Sequence, residues 1–94
     1  MAVVRWSDEA TDRLTDIIEF LEGIDPRAAQ VFVQRVRQAV EQLELFPYSG
    51  QALTGFGFDS MRELVIGNFR LAYVVFSSDE VNVVSIRGGP RPSG

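Results

Sequence analysis

Ser60-Met61-Arg62-Glu63-Leu64-Val65, a Gly67-Asn68 break, and Phe69-Arg70-Leu71-Ala72-Tyr73-Val74-Val75-Phe76 decide the fold of this chain. β-Branched and aromatic residues crowd both halves, and the residues between them suit a tight reversal. That is the pattern of two antiparallel strands joined by a hairpin. Each strand carries one arginine, Arg62 or Arg70, in an otherwise apolar run. A guanidinium is rarely buried without a partner, so each is expected to reach an open face or a carboxylate, with Glu63 at hand.

Downstream, Ser77-Ser78-Asp79 makes a second turn. Glu80 to Arg87, with Val81, Val83, Val84 and Ile86, then adds a third strand to an antiparallel meander. Gly88-Gly89-Pro90 is expected to end that strand, leaving residues 88–94 as a flexible tail. Parity places Arg70 on a face with Ala72 and Val74, and Arg87 on a face with Ser85 and Val83.

Upstream, Val3 and Val4 suggest a short strand leading to Trp6. Ser7 is a helix N-cap, followed by Asp8 and Glu9 where the helix dipole favours negative charge. Ala10, Leu14, Ile17, Ile18 and Leu21 recur on one helical face, and Gly23 is read as the C-terminal cap. Asp25-Pro26 opens a second helix as cap and first-turn proline. Its stripe is Ala29, Phe32, Val33, Val36, Val40 and Leu43, and Pro47 stops it at about Leu45. So short a connection makes the two helices an antiparallel hairpin. Between Pro47 and Asp59 lies a loop rich in glycine and aromatics. Phe56 and Phe58 there either fold back as a lid or stay exposed to dock a partner. The expected architecture is α+β in the order β-α-α-β-β-β: one domain over residues 1–94, with the helix pair covering one face of the sheet.

Composition narrows the chemistry. With 94 residues, 46% of them hydrophobic, the chain supports one folded core. It has no cysteine and no histidine, which removes thiolate sites, the usual neutral-pH acid/base and the commonest metal ligand. No metal or cofactor is expected. No apolar run is long enough to span a membrane and no leader is visible, so a cytoplasmic protein is expected. All nine basic residues are arginine, against thirteen acids, for a net charge of −4. Such a balance argues against direct nucleic-acid binding, which needs a basic footprint. The charges are segregated, however. Acids dominate residues 8–25, whereas the last eight residues carry Arg87 and Arg91 and no acid.

Taken in order, these pieces resemble the RelE/ParE toxin superfamily of type II toxin–antitoxin systems, most closely its ParE branch. The resemblance rests on Trp6 with the capped first helix, Asp25-Pro26 with Ala28-Ala29, and Pro47 with Gly50. It extends through Arg62-Glu63-Leu64 and Phe69-Arg70-Leu71-Ala72-Tyr73 to the strand Val81–Arg87 with Arg91 beyond it. It implies a cytoplasmic toxin associated with plasmid stabilization and growth arrest. Its target would be DNA gyrase, and a cognate ParD-like antitoxin would neutralise it. The RelE-like alternative on the same fold is a ribosome-dependent mRNA endoribonuclease, and a third is a non-toxic protein-interaction module.

Cleaving RNA through its 2′-hydroxyl needs a proton acceptor, a proton donor and cations on the phosphate. By resemblance, Arg70 matches the phosphate-contacting arginine of RelE-like enzymes. The chain has no lysine, however, and Gly88 stands where many relatives carry histidine. Tyr73 is the remaining candidate acid, and strand alternation turns it away from Arg70 toward the core. Glu63 could serve as a base or simply as an ion-pair partner. Acting by binding asks less of these residues. Arg62, Arg70, Arg87 and Arg91 are the expected target-binding set, and Phe56 and Phe58 the expected antitoxin contacts, because arginine and aromatics dominate binding hot spots.

Overall fold

The computed structural model describes residues 1–53 and 61–88. The elements run β1 (Val3–Trp6), α1 (Asp8–Ile24), α2 (Pro26–Leu45), β2 (Gln51–Ala52), β3 (Met61–Ile66), β4 (Phe69–Ser77) and β5 (Glu80–Gly88). They build a five-stranded sheet in the order β1-β5-β4-β3-β2.

The helices begin where their caps dictate. The Ser7 side chain accepts a hydrogen bond from the Ala10 N–H at 3.0 Å, with Asp8 and Glu9 in the first turn of α1. Gly23 does not terminate that helix, as the sequence had suggested; α1 continues to Ile24. The chain leaves the helix at Asp25, whose backbone is extended (φ −158°, ψ 113°) and whose N–H still bonds to the Leu21 carbonyl. The same residue starts α2, its carboxylate accepting from the Arg27 N–H at 3.0 Å ahead of Pro26 in the first turn. One aspartate therefore closes one helix and opens the next, which is why the hairpin connection is so short.

β3 and β4 form the expected hairpin, with Ile66 opposite Phe69. Gly67 takes φ +59° and no described non-glycine residue has positive φ, the sign pattern of a type II′ turn with glycine in first place. β4 and β5 extend the antiparallel meander. Two features go beyond the sequence expectation. β1 joins the edge of β5 in parallel, Val4 opposite Val81, so the sheet is mixed. The two-residue β2 pairs Gln51 with Glu63 and Ala52 with Arg62 on the other edge. Gly88 also belongs to β5, opposite Phe69, rather than to a tail; residues 89–94 lie outside the described part.

The helices pack on one face of the sheet. Leu43, Leu71, Tyr73, Val81, Val83 and Ile86 are fully buried there, with Phe32, Val36 and Ala39 from α2 and Ala10 from α1. Burying each large side chain is worth roughly 1.5–3 kcal/mol. The α2 stripe is rotated from the expected one, since Ala39 is buried and Val33 only half so. β5 also departs from simple alternation. Ala72 faces Ser85 while Tyr73 faces Val83, which leaves Val84 as the extra residue of a bulge. Val83 therefore points into the core and does not share a face with Ser85 and Arg87, correcting the parity argument. The Ser7 hydroxyl donates to the Val84 carbonyl at 3.4 Å, tying the start of α1 to this bulge.

Candidate functional site

Among the described residues, no helix or strand lies over the second face of the sheet. Alternation and register decide which side chains reach it. On β4, Leu71, Tyr73 and Val75 point to the helices and are buried, so Arg70, Ala72 and Val74 point the other way. On β3, Leu64 and Ile66 lie opposite Leu71 and Phe69 on the core side, which puts Glu63 and Val65 on the open side. On β5 the bulge brings Ser85 and Arg87 to that same side.

Arg70 and Arg87 stand directly opposite each other in the β4–β5 ladder. Like charges in that relation destabilise a sheet unless something neutralises them. Glu63 does so for one of them. Arg70 Nη1 donates to Glu63 Oε1 at 3.1 Å, with side-chain exposures of 32% and 11%. Arg70 Nε is buried and without a hydrogen-bond partner. Arg87 is exposed and has no ionic partner among the described residues.

Arg62 belongs to the opposite face. It lies across from Tyr73, and its Nη1 donates to the carbonyls of Tyr48 at 3.1 Å and Gly50 at 2.8 Å. Its guanidinium sits 5.3 Å from the centre of the Tyr48 ring. The Tyr73 hydroxyl accepts a hydrogen bond from the Gly50 N–H at 2.8 Å. Burial raises the Tyr73 pKa above its ordinary value, while the bond from Gly50 and the charge of Arg62 work in the opposite direction. Arg62 and Tyr73 together pin the loop between α2 and β2 onto the sheet.

The structure thus assembles Arg70, Arg87 and Glu63 on one face and sets Arg62 and Tyr73 behind them. Phe56, Phe58 and Arg91 lie outside the described residues. Sequence reasoning did not foresee the exposed apolar ledge of Leu45, Phe46 and Tyr48 at the end of α2. Pro47, read there as a helix stop, was the available signal, because the buried stripe of α2 ends before it at Leu43. The outer groove of the helix pair has a volume of about 400 Å³ and is lined by Trp6, Leu14, Val36, Arg37, Val40 and Glu41. No three metal-ligating side chains cluster among the described residues. No described helix is long and apolar enough to cross a membrane.

Residues 4–91 match the family described as ParE toxin of type II toxin–antitoxin systems, parDE. The chain belongs to the ParE toxin family. Y4kP of Sinorhizobium fredii, a protein described as a candidate toxin, is 31% identical to it over 83 residues, or 88% of this chain and 83% of Y4kP. Among solved structures, a chain of the chromosomal ParDE toxin–antitoxin system of P. aeruginosa superposes with a TM-score of 0.72 at 20% identity, covering 96% of this ParE chain and 98% of that one. YoeB of Staphylococcus aureus, solved as a dimer, matches with a TM-score of 0.64 at 12% identity, over 95% and 98% of the two chains. At these identities the two structures speak for the fold alone. This ParE-family chain is thus the toxin component of a type II toxin–antitoxin system, built on a RelE/ParE-like fold.

Proposed function

We propose that this ParE-family toxin acts in the cytoplasm by binding and inhibiting DNA gyrase, and that a ParD-like antitoxin neutralises it. The observation that supports action by binding is the arrangement around Arg70. Its cross-strand neighbour is another arginine, its carboxylate neighbour is engaged in an ion pair, and Tyr73 lies behind the sheet with its hydroxyl held by Gly50. An RNase would need an acid and a base beside the phosphate-binding cation. At position 88, where a histidine would supply one, a Cβ would lie 2.9 Å from the ring of Phe69. That ring is itself packed 4.7 Å from Phe32. Arginines beside exposed apolar side chains, such as Arg70 opposite Val65, are instead the residues of protein-binding hot spots.

In this reading Arg70, Arg87 and Arg91 contact the target, and Arg62 acts indirectly by holding its loop. The antitoxin takes the groove between α1 and α2, with Phe56 and Phe58 as further contacts. Induction without antitoxin, following nascent protein synthesis and DNA-damage signalling together, tests the reading. Damage signalling and filamentation with translation continuing are expected. An abrupt stop in translation with cleaved mRNA would replace it with the RelE-like mechanism, and no effect from a folded protein would favour a non-toxic interaction module.

A further inference from the structure

We infer that Arg70 and Arg87 form a carboxylate-reading pair, and that Glu63 holds, in the free protein, the place taken by an acidic residue of the bound partner. This rests on the reading of the arginine face as a partner surface and adds the chemistry of what docks there.

Directly opposed residues in an antiparallel ladder hold their Cβ atoms ~5 Å apart, so the two arginine side chains rise from neighbouring points of one face, Arg70 reaching to Glu63 on β3 and Arg87 exposed on β5. For stability alone the arrangement is unfavourable, and the internal compensation is incomplete. Glu63 offers one oxygen to one nitrogen of Arg70, Arg70 Nε is left without a partner, and Arg87 receives nothing from the described residues. Among the described residues, two positive groups thus stand against one negative. Guanidinium is a planar fork suited to both oxygens of a carboxylate or phosphate, so the site is preorganised for one more anion.

The surroundings favour a protein carboxylate over a phosphodiester. Val65, opposite Arg70 on β3, is 67% exposed, and Ala72 and Val74 follow on the same face as a small apolar floor. The described ring that alternation brings to this side, Phe76, lies six residues along β4 from Arg70, roughly 20 Å away and too far to stack a base held at the arginine pair. Glu63 in the site and a net charge of −4 both repel a polyanion. The occupant that fits is a segment of a partner protein carrying Glu or Asp between apolar residues, laid across β3, β4 and β5. Its carboxylate bridges Arg87 and Arg70, and Glu63 swings out to solvent. Glu63 is then an internal competitor that weakens binding and keeps the empty face from being bare positive charge.

The test uses the full chain and capped tripeptides. Arginine Nε–H resonances are followed by NMR while Val-Glu-Val, Val-Gln-Val or inorganic phosphate is added. Val-Glu-Val is expected to shift the Arg70 and Arg87 signals saturably, and Val-Gln-Val to leave them in place. Glu63→Gln should tighten Val-Glu-Val binding about threefold or more, and Arg87→Gln should weaken it about fivefold or more, magnitudes set by partly screened charge pairs. Unchanged core resonances in each variant show that the fold is kept. No response to Val-Glu-Val, an affinity indifferent to Glu63→Gln, or tighter binding of phosphate would each overturn the inference. Because gyrase is absent from the titration, its failure is separate from that of the gyrase reading. A positive titration with no gyrase inhibition would keep the arginine pair and reject the target.

Discussion

The hydroxyl oxygen of Tyr73 accepts a hydrogen bond from the backbone N–H of Gly50 at 2.8 Å, joining the middle of β4 to the loop that follows α2. Both partners are buried. The tyrosine fills the core with its ring and spends its one polar atom on a backbone group that would otherwise be unsatisfied. Tyr73→Phe should therefore cost about 1–3 kcal/mol, read as a lower denaturant midpoint at unchanged slope.

The same tyrosine should make the fold sensitive to alkali. Its pKa is raised from 10.0 chiefly by burial, so the folded state keeps the phenolic proton to higher pH than the unfolded chain does. The resulting stabilisation is complete below the unfolded value and is lost as pH rises through the higher folded one. Urea melts from about pH 9 upward should show stability falling above ~10 in the wild type. Tyr73→Phe should lack that component.

Gly50 is fixed by its neighbours. A Cβ there would run into the Tyr73 hydroxyl and lie 2.7 Å from the carbonyl oxygen of Glu63. The carbonyl is ladder backbone and cannot give way cheaply. Gly50→Ala should destabilise the protein by about 1–3 kcal/mol, measured by thermal or chemical unfolding.

Asp25→Ala should test the shared helix cap. The substitution removes the acceptor for the Arg27 N–H without filling any cavity. A loss of about 1 kcal/mol is expected, and Asp25→Asn or Asp25→Ser should restore most of it.

The two arginine faces predict opposite phenotypes. Arg62→Ala removes charge-assisted bonds to two carbonyls and should cost about 1.5–3 kcal/mol of stability. Arg87→Ala should change stability by less than about 0.5 kcal/mol. On the proposed gyrase reading, the order should reverse in a supercoiling assay. Arg87→Ala should lose inhibition while folded, and Arg62→Ala should keep it at temperatures where it stays folded.

Local signals made most of the fold legible. The helical stripes, the Ser7 and Asp25 caps, the Gly67-Asn68 reversal and the three β-rich runs each rest on neighbours close in sequence. What escaped is non-local or too short. Nothing near Val3 says that it will lie beside Glu80, and a two-residue strand such as Gln51–Ala52 carries no periodicity. Gly23 suggested a helix end, but the backbone turns only where Asp25 offers a carboxylate to the next helix. Arg62 was ambiguous because both alternating sets of β3, Met61-Glu63-Val65 and Arg62-Leu64-Ile66, contain one charge. The bulge at Val84 did leave a trace. Val81 and Val83 are two apart but Val83 and Ile86 are three, and that break in period moves Arg87 onto the face of Arg70.

The parallel pairing of β1 with β5 has a consequence for the order of events during synthesis. Of the described strands, the earliest made has its partner in the latest, with Val3 waiting for Glu80 and Trp6 for Val83. α1 and α2 can pair as soon as they are made, but the apolar side they present to the sheet stays bare until β4 and β5 arrive. The nascent chain therefore passes through a long interval as an unroofed helical hairpin, the stage at which a chaperone would find it. Its arginine pair exists only once β5 has docked, so no truncated translation product carries the completed surface.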